Sequence, residues 1–314
     1  MPRRYHGLIG LALFLVSETL MLAGVRPFTL WFYPLAWWSY IFLVDQVVYQ
    51  RKGDSLWVSR RREFLLLVPM SAGVWMIFEG LNHYLGNWQY VGIVREAWLR
   101  WPGYFISYGT VLPALFETTE LLETTGLFRK AQVRPLPVTT AWYLPFVAVG
   151  ALFLYLPLLW PRYFFPLVWG GFIFLLEPLL HGRGGRSLMR EWEVGRPRTF
   201  YLLLTAGLIC GGLWEFWNFW AVSKWVYTVP LVGWLKVFEM PLLGFGGFPP
   251  FAVECYVMAA ALSLPRGGRG WRQEDAVRPG GASGLTIVLC VILFLFVFIV
   301  GGLVVEFQTI KSYV

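Results

Sequence analysis

The stretch FYPLAWWSYIFLVDQVVYQRKGDSL, residues 32–56, returns as FFPLVWGGFIFLLEPLLHGRGGRSL at residues 164–188, at a constant offset of 132 and without gaps. Eleven of the 25 positions are identical. Apolar segments share leucines by chance. They do not share Pro34 with Pro166, Trp37 with Trp169, Asp45 with Glu177 and an R-x-G-x-S-L tail, all at fixed spacing. Such a period marks a chain built by internal repetition. The register continues with small shifts. Glu79-x-x-Asn82 matches Glu215-x-x-Asn218, and Trp88-x-Tyr90 matches Trp225-x-Tyr227. Trp98-Leu99-Arg100 matches Trp234-Leu235-Lys236, and Pro113-x-x-x-Glu117 matches Pro250-x-x-x-Glu254. Each half reads as four helices, so the repeats keep one topology and are related by a pseudo-twofold along the membrane normal. The units are 1–137 and 138–270, then a linker at 271–283 and an extra helix with a short tail at 284–314.

Composition sets the solvent. The 314 residues are 57% hydrophobic and only 14% charged, with a mean hydropathy of +0.58; soluble domains carry about 25% charge. This excludes a soluble enzyme, a disordered chain and a nucleic-acid-binding module, despite the net charge of +8. Nine apolar stretches have the length of about 20 residues that a helix needs to cross a bilayer: 6–24, 28–49, 64–85, 103–126, 140–159, 164–181, 200–221, 241–263 and 284–305. The fold class is therefore all-α, a polytopic membrane protein of about nine transmembrane helices. The ninth stretch has no repeat partner and no charge within it, so it is expected to be peripheral and lipid-facing.

The basic residues sort by side. The N-terminus, with Arg3 and Arg4, and the loops 50–62, 127–137, 181–199 and 264–283 hold 19 of the 26 Lys and Arg. By the positive-inside rule the N-terminus is cytoplasmic and, after nine spans, the C-terminus lies outside the inner (cytoplasmic) membrane. The basic pI of 9.5 then reflects topology and anionic lipid. The first apolar run follows two arginines as a signal peptide would; Glu18 within it and the duplication argue that it is retained.

Half of the acids, nine of 18, fall inside expected spans: Glu18, Asp45, Glu79, Glu117, Glu120, Glu123, Glu177, Glu215 and Glu254. A charge at the bilayer centre costs at least ~2.5–3.5 kcal/mol, so such residues face an interior. Asp45 and Glu177 precede Arg51 and Arg183 and read as interfacial salt bridges. Glu120 and Glu123, near Arg129 and Lys130, read as structural. The other four are candidate catalytic groups. Glu79 with Asn82, and Glu215 with Asn218, project from one helix face at i and i+3, with the Asn placed to orient the acid. Glu117 and Glu254 follow Gly/Pro-rich stretches at 102–113 and 241–250. Regular helix is expected to begin at Pro113 and Pro250, with the preceding ten or so residues unwound or re-entrant. Paired interruptions of this kind point to a buried site, and the two acids are expected to face the level of Glu79 and Glu215. Aromatics surround the acid–Asn pairs: Trp75, Phe78, Trp214, Phe216, Trp217, Phe219 and Trp220. With Trp88, Trp225, Tyr90 and Tyr227 they suit a bulky apolar ligand, and ring faces stabilise a cation formed from it.

Other chemistries lack residues. Cys210, Cys255 and Cys290 fall inside spans without paired spacing, which gives neither a disulfide framework nor a metal motif. Three scattered histidines, His6, His83 and His181, do not suggest a haem site. There is no H-E-x-x-H, serine triad, phosphate loop, Asp-rich diphosphate motif or iron–sulfur pattern. No cofactor or metal is expected, although Glu79, Glu117, Glu215 and Glu254 would offer hard oxygen ligands to a divalent ion if they converged.

The arrangement resembles the membrane-embedded lycopene cyclase domain family and, more loosely, the small integral-membrane terpene cyclases. In the former each duplicated half carries a buried acid, a downstream Trp-containing loop and a Pro-led acidic motif. The matching positions are Glu79, Trp88 and Pro113…Glu117, then Glu215, Trp225 and Pro250…Glu254. Gly212-Leu213-Trp214-Glu215-Phe216 is similar to the Trp-Glu motif of the terpene cyclases. The family has twin acids two and three residues after the proline and three-helix repeats; here one glutamate stands four residues on, in four-helix repeats. The resemblance implies redox-neutral proton chemistry on an isoprenoid, with one carboxylic acid as general acid and another as base.

Three functions follow. The first is an integral-membrane enzyme that cyclises, isomerises or hydrates an apolar isoprenoid or related lipid, with Glu79 and Glu215 as acids and Glu117 and Glu254 as bases. The second is a transporter or proton-coupled carrier using the same broken helices. The third is a non-catalytic subunit of a larger membrane complex that binds quinone, carotenoid or lipid. Partners are accordingly a membrane lipid or isoprenoid, no nucleic acid, and either a membrane complex or a homo-oligomer.

Overall fold

The computed structural model describes residues 5–272 and 283–311. Arg3, Arg4, the end of the chain and nearly all of the 271–283 linker lie outside the described residues. Helix α1 (His6–Leu22) packs on α2 (Phe28–Lys52), and α3 (Arg61–Leu85) follows. A short strand β1 (Trp88–Val91) precedes α4 (Ala97–Tyr108) and α5 (Val111–Thr124). The chain continues through α6 (Tyr143–Leu159), the single turn α7 (Pro161–Phe164), a 3-10 stretch at Phe165–Trp169, α8 (Gly171–Gly182) and α9 (Leu188–Glu193). Then come α10 (Arg198–Trp220), β2 (Lys224–Tyr227), the two-residue strands β3 (Lys236–Val237) and β4 (Met240–Pro241), a 3-10 stretch at Leu242–Gly247, α11 (Phe248–Ser263) and α12 (Gly284–Lys311).

Among the described residues, six helical segments are long and apolar enough to cross a membrane: Arg61–Leu85, Thr140–Leu159, Pro161–Gly182, Arg198–Trp220, Leu242–Arg266 and Gly284–Thr309. The other three expected spans are helical but fall short of that length or apolarity. Helix α1 has 17 residues. Helix α2 has 25, diluted by Trp, Tyr and its charged end. The fourth is divided at Gly109–Thr110 into α4 and α5.

The packing partners recur in the two halves. Helix α1 packs on α2 as α6 packs on α8; α2 packs on α5 as α8 does on α11; α3 packs on α5 as α10 does on α11. Helix α5 also contacts α10, which joins the halves around a core that includes the fully buried Trp37, Phe32, Phe64 and Phe78. At one end of the bundle β1 and β2 pair antiparallel, Trp88 opposite Tyr227 and Tyr90 opposite Trp225. The two Trp-x-Tyr segments thus exchange places about the centre of the ribbon. Gly86, at φ 62°, ends α3 in the left-handed conformation that turns the chain into β1.

Several local expectations change. The stretch 102–113 is not unwound: α4 runs through Pro102 to Tyr108, and only Gly109–Thr110 separate it from α5. Pro102, the sixth residue of α4, forgoes one backbone hydrogen bond there without ending the helix. In the second half the interruption is present as β4 and the 3-10 stretch before α11. Asp45 does not pair with Arg51. It accepts from the Ser55 hydroxyl at 2.9 Å, the Trp57 N–H at 2.7 Å and His6 Nε2 at 2.8 Å. Glu177 likewise accepts from the Ser187 hydroxyl at 2.6 Å and the Leu188 and Met189 N–H groups at 3.1 Å, rather than pairing with Arg183. The repeated acid and R-x-G-x-S-L tail are therefore one device, in which a carboxylate caps the turn that follows its own helix. Glu120 pairs with Arg60 and Lys52, and Glu123 with Arg198 and Arg272, not with Arg129 and Lys130.

Helix α12 is only partly peripheral. Its exposed face carries Leu285, Leu289, Ile292 and Phe296, yet it packs on α3, where Gly301 lies against Met76, and its Gly302 lies against Trp101 of α4. Beyond the uncharged stretch, Glu306 forms a two-pronged ion pair with Arg100, and Gln308 accepts from Asn82 Nδ2 at 3.2 Å.

Candidate functional site

Between the halves lies a cavity of about 380 Å³, inside the range of about 300–1,000 Å³ for small-molecule sites. Aromatic rings are the largest group in its wall. From the first half come Tyr33, Trp75, Trp88, Tyr90 and Tyr108, and from the second Trp169, Trp214, Trp225, Tyr227 and Phe251. Phe251 is the keystone, with ring centroids 5.9 Å from Trp75, 5.4 Å from Phe78, 5.5 Å from Trp169 and 5.8 Å from Trp214. Two cations reach the lining and both are engaged. Arg100 binds Glu306 and the carbonyls of Val94 and Arg95, and Lys224 binds Glu239 at 2.6 Å.

Each half places a carboxyl behind this wall. Glu79 is fully buried on α3, and its Oε1 accepts from Trp75 Nε1 at 2.7 Å, Trp88 Nε1 at 3.1 Å and the Tyr90 hydroxyl. Glu215 is fully buried on α10 and accepts from the Tyr227 hydroxyl at 2.8 Å. The Trp225 indole and the Met240 amide face Glu215 from further off. The second carboxyl oxygen of each, Oε2, has no hydrogen-bond partner among the described residues.

Asn82 and Asn218 do not touch the acids. Asn82 Oδ1 accepts from the Asn87 and Trp88 N–H groups at 2.8 and 3.2 Å, and its Nδ2 donates to the Trp88 carbonyl at 2.9 Å. Asn218 makes the same pair of bonds to the Trp225 N–H and carbonyl, at 2.9 and 2.8 Å. One helical turn beyond its acid, each Asn grips the backbone of the strand that returns Trp and Tyr to that acid. The i+3 spacing works through the strand.

The four acids do not converge. Glu117 lies deeper along α5, facing Asp45 and Glu120, and lines no part of the cavity. Glu254 also stays outside the lining; its Oε1 accepts from the Phe172 N–H at 2.7 Å and so caps the start of α8, where a helix leaves donors open. Neither is placed to act as a base on a molecule in the cavity. Among the described residues no three His, Cys, Asp or Glu side chains are grouped to hold a metal ion, so the shared carboxylate site considered above does not form. Trp217 packs in the core against Trp37 at 4.8 Å, and Phe216, Phe219 and Trp220 are exposed.

Sequence reasoning left out Trp169, Tyr33, Tyr108 and Phe251. The signal for Trp169 was present, since it is the Trp of the repeated block. Trp169 stacks on Phe78 at 5.3 Å and on Trp88 at 6.1 Å, while its counterpart Trp37 lies against Trp214 at 5.5 Å. The chain matches no family model, no curated protein and no solved structure.

Proposed function

We propose that the chain is an integral-membrane enzyme of the inner (cytoplasmic) membrane that performs redox-neutral acid/base chemistry on an apolar isoprenoid or related lipid. It does so on two four-helix repeats plus a ninth helix, with the N-terminus cytoplasmic. The observation that carries the reading is the aromatic cavity with the Glu215–Tyr227 pair in and behind its wall. Rings exclude water and stabilise a carbocation. A tyrosine hydroxyl at the wall, bonded to a carboxyl, is a proton-transfer group. When Tyr227 takes a proton from the substrate, its own passes to Glu215; the reverse passage delivers one. A single pair thus gives and recovers the proton that an isomerisation or cyclisation needs, with no electron gained or lost. Matching packing partners and the symmetric Trp-x-Tyr ribbon support the repeat reading.

A second reading, a non-catalytic subunit that holds a quinone, carotenoid or lipid, is favoured by one fact: neither Glu79 nor Glu215 itself lines the cavity. Mass spectrometry separates the two. Apolar lipids are compared between membranes of a carotenoid- and polyprenoid-producing host carrying the wild type or Glu215→Gln, together with lipid extracted from each purified protein. The enzyme reading expects a species isomeric with a host isoprenoid, or one water heavier, that the variant lacks. Unchanged profiles with a specific lipid bound to both proteins would leave the binding subunit.

A further inference from the structure

The charge around the cavity limits what can lie in it. Among the described residues its wall carries no carboxylate, and its two cations are neutralised, Arg100 by Glu306 and Lys224 by Glu239. An anionic head such as a phosphate would have to break one of those ion pairs to find a partner, and leaving it unpaired in the wall is costly. An uncharged molecule meets no such barrier. Size sets a second limit. An apolar cavity of about 150 Å³ holds one benzene, so this one, of about 380 Å³, holds about 15 carbon atoms, or about three isoprene units.

Three lining residues bury a polar side-chain atom that has no hydrogen-bond partner among the described residues: Trp214 Nε1, the Tyr108 hydroxyl and Asn87 Oδ1. The first two have substitutes. Trp214 packs among the rings of Trp37, Phe248 and Phe251, and an N–H tolerates a ring face. Tyr108 has the Tyr90 hydroxyl as a neighbour, with ring centroids 6.4 Å apart. A ring face offers nothing to an acceptor oxygen, so Asn87 is the group left in need. Asn87 is 2% exposed, and its backbone is held from both sides. Its N–H donates to Asn82 Oδ1 at 2.8 Å, and its carbonyl accepts from the Thr228 N–H at 2.8 Å. The residue stands between Gly86, which ends α3, and Trp88, which opens β1. Trp88 pairs with Tyr227, and Thr228 follows Tyr227, so the amide belongs to the same end of the cavity as the proton-transfer hydroxyl. A buried amide fixed through its backbone and unpaired at its oxygen is a preorganised acceptor.

We infer that Asn87 anchors a hydroxyl group at the end of the ligand, so that the cavity takes an uncharged isoprenoid alcohol rather than a hydrocarbon or a diphosphate. The inference rests on the reading of the cavity as an isoprenoid site and names the ligand class within it. A hydroxyl donates to Asn87 Oδ1 and accepts from Nδ2, which satisfies the amide on both sides; a carbonyl can only accept. The alcohol end then lies at the ribbon beside Tyr227, and the chain runs on among the rings. Asn87 binds and positions the ligand and moves no proton.

The test is a binding measurement with 15-carbon probes that differ only at the head. Purified protein in lipid nanodiscs is equilibrated with farnesol, farnesene, farnesal or farnesyl diphosphate at equal mole fraction in the bilayer. Mass spectrometry counts the lipid held in excess of protein-free discs. Farnesol is expected to bind about tenfold more tightly than farnesene, the equivalent of one hydrogen bond to a group otherwise unpaired. In Asn87→Leu and Asn87→Ala that preference should vanish while farnesene binding remains. Both variants should unfold at or above the wild-type temperature, because the oxygen they remove has no partner in the fold. Lower unfolding temperatures in both would show that the amide is engaged internally and would overturn the assignment. So would farnesal or the diphosphate held as strongly as farnesol. Farnesol and farnesene bound equally by the wild type would overturn the anchor and leave the proposed function standing. If neither exceeds the protein-free discs, the cavity takes no isoprenoid, and the proposed function falls together with the inference.

Discussion

Around Glu79 three donors converge on one carboxyl oxygen, whereas around Glu215 one close donor does. The parts are otherwise shared: an Asn gripping a strand, a Tyr donating to the acid, a Trp two residues before that Tyr. The difference begins with a single residue. Trp75, one turn before Glu79, supplies a donor; its counterpart one turn before Glu215 is Gly211. A Cβ there would stand 2.2 Å from the Phe248 ring, so the position admits no larger side chain while Phe248 is in place. Helix α12 adds the second difference. It closes the first half through Arg100–Glu306 and Asn82–Gln308, and no described element does the same for the second. Trp88 and Tyr90 are buried in consequence, while Trp225 and Tyr227 are only half-buried. The two matching positions thus hold one acid bound by three donors and one bound by a single close donor, and it is the second that the proposed function takes as the proton-transfer group.

The largest expected effect separates the two acids by activity. Glu215→Gln should lower product formation by about 10²–10⁴-fold, the scale of a lost general acid, while Glu79→Gln keeps activity per folded molecule. Equal losses, normalised to folded protein, would break the comparison. The closure by α12 comes next. Arg100→Ala leaves Glu306 partly buried without its partner and should cost about 3–5 kcal/mol in thermal unfolding. No measurable change would mean that α12 contributes nothing to the first half.

Truncating the acids reverses their order. Glu79→Ala strands three buried donors and should destabilise by at least about 3 kcal/mol, whereas Glu215→Ala strands one close donor and should cost about 1–2 kcal/mol. Denaturation monitored by circular dichroism in detergent measures both. The last effect, read as a coupling between two substitutions, sharpens the origin of the asymmetry. Gly211→Ala should cost about 1–3 kcal/mol by overpacking, and Phe248→Ala in the same chain should make the two changes non-additive. Simple additivity would show that Phe248 is not what holds position 211 to glycine.

What the sequence made legible was the local part. Hydropathy located every long helix, and repeated spacing picked out Glu79, Asn82, Trp88 and Tyr90 with their second-half counterparts, because those groups act within one strand-length of one another. Distant partnerships were not legible. Glu254 caps α8, and Glu117 meets Asp45, through helix packing that no spacing encodes. A shared helix face pairs Asn82 with Glu79 in the sequence, yet its hydrogen bonds go to a strand whose position depends on the turn at Gly86. Glu306 lay just beyond an uncharged run, so α12 read as purely lipid-facing.

The most direct measurement is the paired one. Glu79→Gln, Glu215→Gln and wild type are expressed in the same isoprenoid-producing host, folded protein is quantified in each membrane, and the isomeric or hydrated lipid is assayed per folded molecule. Product retained in Glu79→Gln and lost in Glu215→Gln is the expected result. Product retained in Glu215→Gln, or lost equally in both, would contradict an account in which the second half alone carries the chemistry.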